Sequence, residues 1–385
     1  MTTEINICLA TDNNYIHHTA TAVASILYNA DSKDKYHFYI LATGLYSENK
    51  EKFNQLKKNK DCQIDYIDID NELVSRFREM KIYKHINLST YNRLFIPALF
   101  PQIQKMIYLD SDIVAIKDIA ELNNFAIDNA YFAGVLDPSS DRLSKMLGYE
   151  NDPYINAGVM IINCEQLRRH NYLDTIFNSI DKIKDKSKNG DQDLINYCFH
   201  EHLKIIPGQW NVFLPFIYQR CKIPEPTDND YLLSKRDPVI IHFVGPDKPW
   251  NINCTHPYKE KYLKYLSMTP WAEKAETIIA LTHISTVINQ LSTVINQQSS
   301  CITTLKNKIV KLQETVMINQ QNAEKKIRLG FVFDHIWHYR VQKWRFWLCK
   351  SLSFGKRRDK YRTKYKAVRD LVREAQIFYR DLWRN

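Results

Sequence analysis

Three features are missing from this 385-residue sequence, and each absence narrows the class of protein. The eight cysteines are scattered and form no C-x-x-C pair, which predicts neither a zinc site nor a disulfide framework and favours the reduced thiols of a cytoplasmic protein. The first residues lack a basic segment, and a strand-like run with Asp12 follows too soon, so we expect no secretory signal at the start of this sequence. No uninterrupted apolar run reaches the roughly 18 residues of a membrane-spanning helix, so we expect none.

Positive charge is concentrated in one part of the chain. The formal net charge is +10, but residues 325–385 hold 18 Lys and Arg against 5 Asp and Glu, a local charge of +13. The preceding part of the chain is therefore slightly acidic. An affinity for acidic partners is expected of the last segment and not of the rest.

Residues 1–265 alternate between strand-like and helix-like segments. Strands are predicted over residues 5–10, 37–42, 62–69 and 105–109, and helices over residues 18–29 and 47–59. This alternation predicts an α/β domain with a mostly parallel sheet and helices on both faces. Ligands of such sheets bind at the carboxyl ends of the strands, where Asp12 and Asp110 fall.

Residues 270–322 carry a seven-residue repeat. The a positions are Leu281, Ile288, Ile295, Ile302, Ile309 and Val316, and the d positions are Ile284, Leu291, Gln298, Leu305 and Leu312. Isoleucine at a with leucine at d favours a parallel two-stranded coiled coil and hence a homodimer. Val287 and Val294 broaden the apolar stripe, so a trimer, or one amphipathic helix packed on its own domain, remains open.

Residues 325–385 form a basic, aromatic segment that we expect to be helical. Aromatic residues such as Trp337, Trp344 and Trp347 are interleaved with Lys and Arg. Such a segment favours binding to an anionic membrane surface. The alternatives are a helical hairpin that caps the coiled coil and, less favoured, nucleic-acid binding.

A metal site is indicated by two acidic residues and one histidine. Asp110 and Asp112 directly follow the apolar strand 105–109, and His242 stands near the end of another apolar run. Two carboxylates hold a hard divalent ion, and an imidazole ligand favours Mn(II) over Mg(II), which stays possible. Lys248 would add a point charge for a phosphate, which the backbone at Gly245 could approach closely.

The order of several motifs resembles glycosyltransferase family 8, which includes bacterial lipopolysaccharide galactosyl- and glucosyltransferases and, more distantly, glycogenin. The matching segments are ICLATDNNY (7–15), STYNRLFIPALFP (89–101), YLDSDIVAIKDIAEL (108–122), FAGVLD (132–137), YINAGVMIIN (154–163), NGDQDLIN (189–196), LPFIY (214–218) and HFVGPDKPW (242–250). The resemblance covers roughly residues 5–265 and implies a GT-A type nucleotide-sugar-binding fold of the Rossmann-like kind.

The resemblance also implies a role for each matching position. Metal ligands are Asp110, Asp112 and His242. The UDP-hexose donor is contacted by Asp12, Asn14 and Tyr15 (uridine), by Arg93, Asp110, Ser111 and Asp112 (ribose, diphosphate and sugar), by Asp137, Asn156, Ala157, Asp191 and Gln192 (sugar), and by Gly245 and Lys248 (diphosphate).

The resemblance implies that the anomeric configuration is retained, which leaves two mechanisms. We favour attack by the acceptor on the face that the diphosphate leaves, near Asp191 and with the amide oxygen of Gln192 stabilising an oxocarbenium-like centre. The lesser alternative is a double displacement with Asp193 as a transient nucleophile.

The sequence thus predicts a cytoplasmic, peripheral hexosyltransferase on the inner face of the cell membrane. We expect it to move galactose or glucose from a UDP-sugar to a lipid-linked or lipopolysaccharide-type glycan. Two alternatives belong to other classes. One is a haloacid-dehalogenase-type phosphatase with Asp110 as nucleophile, and the other is a coiled-coil scaffold that has lost activity.

Overall fold

The computed structural model describes residues 4–31, 33–42, 44–58, 60–70, 75–77, 88–150, 152–214 and 234–320. The chain divides into two units, Met1–Thr293 and Val294–Asn385. The basic segment 325–385 and most of the LPFIY motif lie outside the described residues. The predicted boundaries near residues 265 and 322 stay predictions.

The predicted strands of the first unit are present within a residue or two of their expected ends. The strands are β1 (Glu4–Thr11), β2 (Lys35–Ala42), β3 (Cys62–Asp68), β4 (Lys105–Leu109), β5 (Ile113–Ala115), β6 (Phe132–Leu136), β7 (Ile155–Asn163), β8 (Leu203–Ile205) and β9 (Ile240–His242). Seven of them form one sheet in the order β3-β2-β1-β4-β7-β6-β8. Strand β7 runs antiparallel to both of its neighbours, and the other pairs are parallel. The prediction of a mostly parallel sheet is confirmed.

Helices connect the strands. They are α1 (Ile16–Asn29), α2 (Ser47–Asn54), α3 (Ile96–Leu99), α4 (Ala120–Asn124), α5 (Ser140–Leu147), α6 (Cys164–Arg169), α7 (Tyr172–Ile183), α8 (Asp191–Phe199), α9 (Lys259–Leu266) and α10 (Ala272–Gln320). Short 3₁₀ helices cover Gln55–Lys58, Leu88–Phe95, His200–His202 and Gly208–Trp210.

The strands supply two apolar cores, one on each face of the sheet. Successive side chains of a strand point to opposite faces. In β1, Ile7 and Leu9 accordingly join the core that contains α1, whereas Cys8 joins the core that contains α7 and α8. Both faces are therefore covered by helices, as predicted.

A separate two-stranded ribbon lies beside the end of β4. Strands β5 and β9 pair antiparallel, with Ile113 opposite His242. Because Asp112 directly precedes Ile113, this register brings His242 next to the acidic residues that follow β4. The pairing explains how residues more than a hundred positions apart in sequence meet.

Helix α10 spans 49 residues, as the heptad repeat predicts. Its first turn belongs to the core of the first unit, where Ala275 and the preceding residue Trp271 are buried. Beyond residue 287 the seam side chains Ile288, Leu291 and Ile295 are exposed. The helix is observed, and its assembly into a coiled coil stays a prediction.

The expectation of no membrane-spanning segment rested on uninterrupted apolar runs, and length together with average hydropathy gives a different result for one helix. Among the described residues, the segment Ala272–Asn296 of α10 is long and apolar enough to cross a bilayer. Its interruptions after Glu276 are uncharged Ser, Thr, Asn and Gln, apart from His283. Such residues break every apolar run but lower the average hydropathy little, so counting uninterrupted runs missed the segment.

Candidate active site

The structure brings the three predicted metal ligands together at the end of β4. Nε2 of His242 lies 3.2 Å from Oδ1 of Asp112 and 3.6 Å from Oδ2 of Asp110. One ligand atom from each residue lies within 4.8 Å of the others. Two carboxylate oxygens and one imidazole nitrogen form a set that suits a divalent ion such as Mn(II).

Space for the ligand cluster is provided by a glycine of β7. A Cβ atom on residue 158 would stand 2.0 Å from Cε1 of His242 and 2.9 Å from Oδ2 of Asp110. The carbonyl of Gly158 also accepts a hydrogen bond from the backbone N–H of Asp110, at 2.8 Å. Because residue 158 has no side chain, Asp110 and His242 can lie close together. The three predicted ligands therefore fit a divalent ion.

Asp112 is held ionised by its neighbours. Burial by itself would raise the pKa of Asp112, but the ammonium of Lys248 and the ring of His242 outweigh it and hold the pKa well below its usual range. Lys248 donates to Oδ2 of Asp112 and, at 2.7 Å, to the carbonyl of Phe243. A cation and a metal-binding carboxylate therefore share one edge of the site, which suits a diphosphate.

Arg93 connects the metal ligands to the predicted sugar contacts. Its buried guanidinium donates to Oδ1 of Asp110 at 2.8 Å and to the carbonyl of Ala157 at 2.7 Å, and its Nε forms an ion pair with Oδ2 of Asp191 at 2.9 Å. Burial would lower the pKa of Arg93, but Asp110 and Asp191 raise it overall, so it remains a cation. The rigid fork fixes the positions of both carboxylates.

Asp191 is the first residue of α8 and is buried. Burial raises its pKa to about 6, because the attraction of Arg93 offsets the loss of solvation only in part. Asp193 lies two positions further along the same helix, so its side chain points to a different side. Its carboxylate is fully buried and accepts hydrogen bonds from Tyr154 and from the backbone of Lys188 and Asn189.

Gln192 is only partly buried and bonds to β7 one residue before Gly158. Its Oε1 accepts from the backbone N–H of Ala157 at 3.0 Å, and its Nε2 donates to the hydroxyl of Tyr154 at 3.1 Å. Nε2 also lies 3.5 Å from Oδ2 of Asp137. Burial raises the pKa of Asp137, although hydrogen bonds from Ser139, Asn156 and Gln192 oppose that shift. These predicted sugar contacts form one hydrogen-bonded group.

The turn after β1 forms the predicted uridine side of the site. Oδ1 of Asp12 accepts from the backbone N–H of Asn14 and of Tyr15, each at 2.8 Å, so this carboxylate shapes the turn. Tyr15 is partly exposed and meets Trp250 edge-on, with ring centroids 5.9 Å apart. Ser111 instead bonds to the carbonyl of Ala10 at 2.7 Å, so its hydroxyl joins the ends of two strands.

The predicted diphosphate loop packs on the start of α1. Gly245 has a φ of 86°, a conformation that favours glycine. Trp250 stacks on His18, with ring centroids 3.6 Å apart, and Nδ1 of His18 lies 2.5 Å from the hydroxyl of Tyr262. Aromatic contacts from distant parts of the chain thus hold the loop that carries Lys248.

Some residues of the site were not predicted. Asn211 bonds to His242 and to Asn156, and Tyr154 bonds to both Asp193 and Gln192. Tyr154 lies within a motif that carries the family resemblance, which is a signal of its importance. Asn211 lies in a segment, GQWNVF, that matches none of those motifs.

An α/β domain with an acidic, histidine-containing metal site at the strand ends has the form of a GT-A type nucleotide-sugar transferase. The sequence model of glycosyl transferase family 8 matches residues 6–254, and the chain belongs to that family. Its members are glycosyltransferases, and the family implies a divalent metal and a nucleotide-sugar donor. The resemblance stated from the motifs is confirmed, and the phosphatase alternative is wrong.

Three relatives align over about 70% of this chain, and two of them are named as transferases. The chain is 29% identical over 274 residues to General stress protein A of Bacillus subtilis, covering 69% of this chain and 94% of the relative. It is 29% identical over 275 residues to a lipopolysaccharide 1,2-glucosyltransferase of Escherichia coli, covering 69% and 79%. It is 26% identical over 286 residues to a lipopolysaccharide 1,3-galactosyltransferase of Salmonella typhimurium, covering 71% and 80%.

A solved structure supports the fold. The galactosyltransferase LgtC, in complex with donor and acceptor sugar analogues, matches with a TM-score of 0.64 and 23% identity. The match covers 70% of this chain and all of LgtC. The GT-A type fold of the first unit is therefore confirmed.

Proposed function

We propose that the protein is a retaining, Mn(II)-dependent hexosyltransferase that moves galactose or glucose from a UDP-sugar to a glycan acceptor. The observation that carries the proposal is the convergence of Asp110, Asp112 and His242 beside Lys248. The family match supports the donor class, and the two lipopolysaccharide transferases support a hexose.

Each residue has a defined task in this proposal. Asp110, Asp112 and His242 would hold the ion, which when bound supplies positive charge for the departing diphosphate. Lys248 binds a diphosphate oxygen. Arg93 holds Asp110 and Asp191 in place, and Asp137, Asn156 and Gln192 orient the hexose.

Retention is assigned to attack on the face from which the diphosphate leaves. The bond between the anomeric carbon and the diphosphate oxygen breaks, and the acceptor oxygen bonds to that carbon. The acceptor proton passes to the departing phosphate oxygen. The burial of the Asp193 carboxylate and its bonds to the 188–189 turn favour this course over a covalent intermediate on Asp193. Asp193 then acts by holding that turn and Tyr154.

The experiment that tests the function measures hydrolysis and transfer with a panel of nucleotide sugars, with and without Mn(II). We expect UDP-galactose or UDP-glucose to be consumed only with the metal. Gln192→Ala should lower the rate, and a fully active variant would remove Gln192 from the mechanism. If UDP does not bind in the presence of Mn(II), the inactive-scaffold alternative becomes the better explanation.

For the acceptor, we propose a lipid-linked or lipopolysaccharide-type glycan. The support is the activity for which the two similar lipopolysaccharide transferases are named. The proposed place of action is the cytoplasmic face of the cell membrane, reached through the basic aromatic segment 325–385.

Self-association is proposed to occur through the seam of α10. The support is the unbroken seven-residue period together with exposed apolar side chains, namely Ile288, Leu291, Ile295, Leu305, Ile309 and Leu312. Burial of these side chains against a second copy would remove about 1.5–3 kcal/mol of unfavourable hydration for each fully buried one.

A further inference from the structure

One chain of hydrogen bonds joins the predicted metal ligands to the sugar side of the site. One of its members, Asn211, has no task in the proposed reaction. The chain runs from His242 through Asn211 and Asn156 to Asp137. We propose that Asn211 is a positioning residue that aims the metal-binding nitrogen of His242 and, at the same time, the amide of Asn156. The inference rests on the proposed function.

Backbone pairing places Asn211 beside His242. Asn211 follows the 3₁₀ helix Gly208–Trp210 and is fully buried. The next residue, Val212, donates its N–H to the carbonyl of Ile240 and accepts from the N–H of His242, at 2.9 and 2.8 Å. This segment therefore runs along β9 in a fixed register, which fixes the position of the Asn211 backbone beside His242.

The direction of each hydrogen bond in the chain follows from one backbone donor. The N–H of Gly158 lies 3.0 Å from Oδ1 of Asn156, and an N–H can only donate, so the oxygen of that amide must face it. The same oxygen lies 2.8 Å from the amide of Asn211, which must therefore present its Nδ2.

The orientation of His242 follows from that of Asn211. Because Nδ2 of Asn211 faces Asn156, its Oδ1 faces Nδ1 of His242, 2.8 Å away. An oxygen accepts, so Nδ1 carries the ring proton and Nε2 presents a lone pair. That lone pair lies on the side of Asp110 and Asp112, where a metal ion needs it. A hydrogen-bonded partner of this kind strengthens metal binding by a histidine.

The other end of the chain reaches a predicted sugar contact. With Oδ1 of Asn156 occupied by Gly158 and Asn211, its Nδ2 is the group that bonds to Asp137. Asn211 thus holds two neighbouring side chains that serve different parts of one donor molecule. Loss of the acceptor function of Asn211 should therefore weaken metal binding. Loss of its donor function alone should weaken recognition of the hexose.

The test measures Mn(II) affinity by electron paramagnetic resonance of free Mn(II), at one pH, on the full-length protein. Asn211→Leu, which can neither accept nor donate, should weaken Mn(II) binding by about 10–100-fold. Asn163→Leu is the matched control, because Asn163 is a nearly buried asparagine at the far end of β7 that bonds to the carbonyls of Asp128 and Ala130. It should lose stability and retain Mn(II) affinity.

A second variant separates the two functions of Asn211. Asn211→Asp still accepts from Nδ1 of His242 but cannot donate to Asn156. It should retain Mn(II) affinity within about threefold, since a carboxylate is also a common partner of a metal-bound histidine. It should lose about tenfold or more of the preference for UDP-hexose over UDP, because Oδ1 of Asn156 then loses one of its two donors and faces a carboxylate oxygen instead.

Each possible result either supports or overturns the inference about Asn211. Weak Mn(II) binding by Asn211→Leu with near-normal binding by Asn211→Asp supports the inference. Normal binding by Asn211→Leu, or equal losses in both variants, overturns it and leaves the proposed function intact. Failure of the unaltered protein to bind Mn(II) overturns the proposed function and this inference together. Should Asn211→Leu not fold, Asn211→Ser, which is too short to reach Nδ1, replaces it with the same expected loss.

Discussion

Gly158 and His242 are packed so closely that residue 158 can carry no side chain without moving the imidazole. A Cβ atom added to residue 158 would lie 2.0 Å from Cε1 of the ring, far inside van der Waals contact. Gly158→Ala should therefore displace His242 and lower Mn(II)-dependent UDP binding by about 100-fold or more. Isothermal titration with Mn(II) and UDP measures the effect.

Gly134→Ala is the control for that substitution. Its Cβ would meet Cδ1 and Cβ of Ile155 at 2.9 and 3.2 Å and the carbonyl of Asn156 at 3.4 Å, and none of these three nearest atoms belongs to Asp110, Asp112 or His242. This variant should keep Mn(II)-dependent UDP binding. Unchanged binding in Gly158→Ala would contradict the position given to His242.

Arg93→Lys tests whether one guanidinium fixes two carboxylates. A lysine cannot reach Asp110, Asp191 and the carbonyl of Ala157 together, so we expect a loss of about 3 kcal/mol in the free energy of unfolding and a large fall in kcat/KM. Denaturant unfolding and UDP-sugar hydrolysis measure the two effects. In Arg168→Lys the lost bonds are to backbone carbonyls away from the metal site, so stability alone should fall. Equal losses of kcat/KM in both variants would contradict the positioning of Asp110 and Asp191 by Arg93.

Asp191→Asn tests the raised pKa of that residue. A carboxyl with a pKa of about 6 in the folded state holds its proton more tightly than in the unfolded chain. Its contribution to stability is therefore full below pH 4 and is lost as the pH rises through 6. The free energy of unfolding of the uncharged variant, relative to that of the unaltered protein, should rise by about 2–3 kcal/mol between pH 4 and pH 7.5. The variant should also lose donor hydrolysis. A stability difference that does not change with pH would refute the assignment.

Ile295→Asp tests the proposed seam of α10. Ile295 occupies an a position and is exposed. The unaltered protein should have the mass of two chains in light scattering, and the variant should be monomeric because a charge cannot be buried in the seam. Thr293→Asp, on the opposite side of the helix, should leave the mass unchanged. A mass of three chains would support association through the seam and show that it forms a trimer. A monomeric unaltered protein would contradict association through the seam.

Deletion of residues 330–385 tests the proposed membrane contact. The truncated protein should no longer bind vesicles that contain anionic lipids, and it should retain Mn(II)-dependent hydrolysis. High salt should have a similar effect on the unaltered protein, because the attraction is largely electrostatic. Binding that persists after the deletion would contradict the proposed anchor.

The sequence predicted the main strands because most are apolar runs that are buried in the sheet, and β3 shows an alternation of apolar and polar residues. It did not predict that β7 runs antiparallel, because an apolar run such as residues 155–163 looks the same in either direction. The apolar strand that ends near His242 was predicted, but β5 and its pairing with β9 were not, since a three-residue strand is too short to show a periodicity. Their pairing is what places His242 beside Asp112.

Side-chain roles were predicted only where a motif carried them. Asp193 stands next to Gln192 in sequence, which suggested a role in the reaction, but helical geometry directs its carboxylate into the turn before α8. Asn211 could not be predicted, because its importance depends on contacts with Asn156 and His242, which are far away in sequence.

The central claim is that Asp110, Asp112 and His242 bind the same ion. It is tested most directly by anomalous diffraction at the manganese edge, on crystals grown with UDP and Mn(II). We predict one peak within bonding distance of all three side chains and of the diphosphate. A peak elsewhere, or three side chains that point to different places, would contradict the claim.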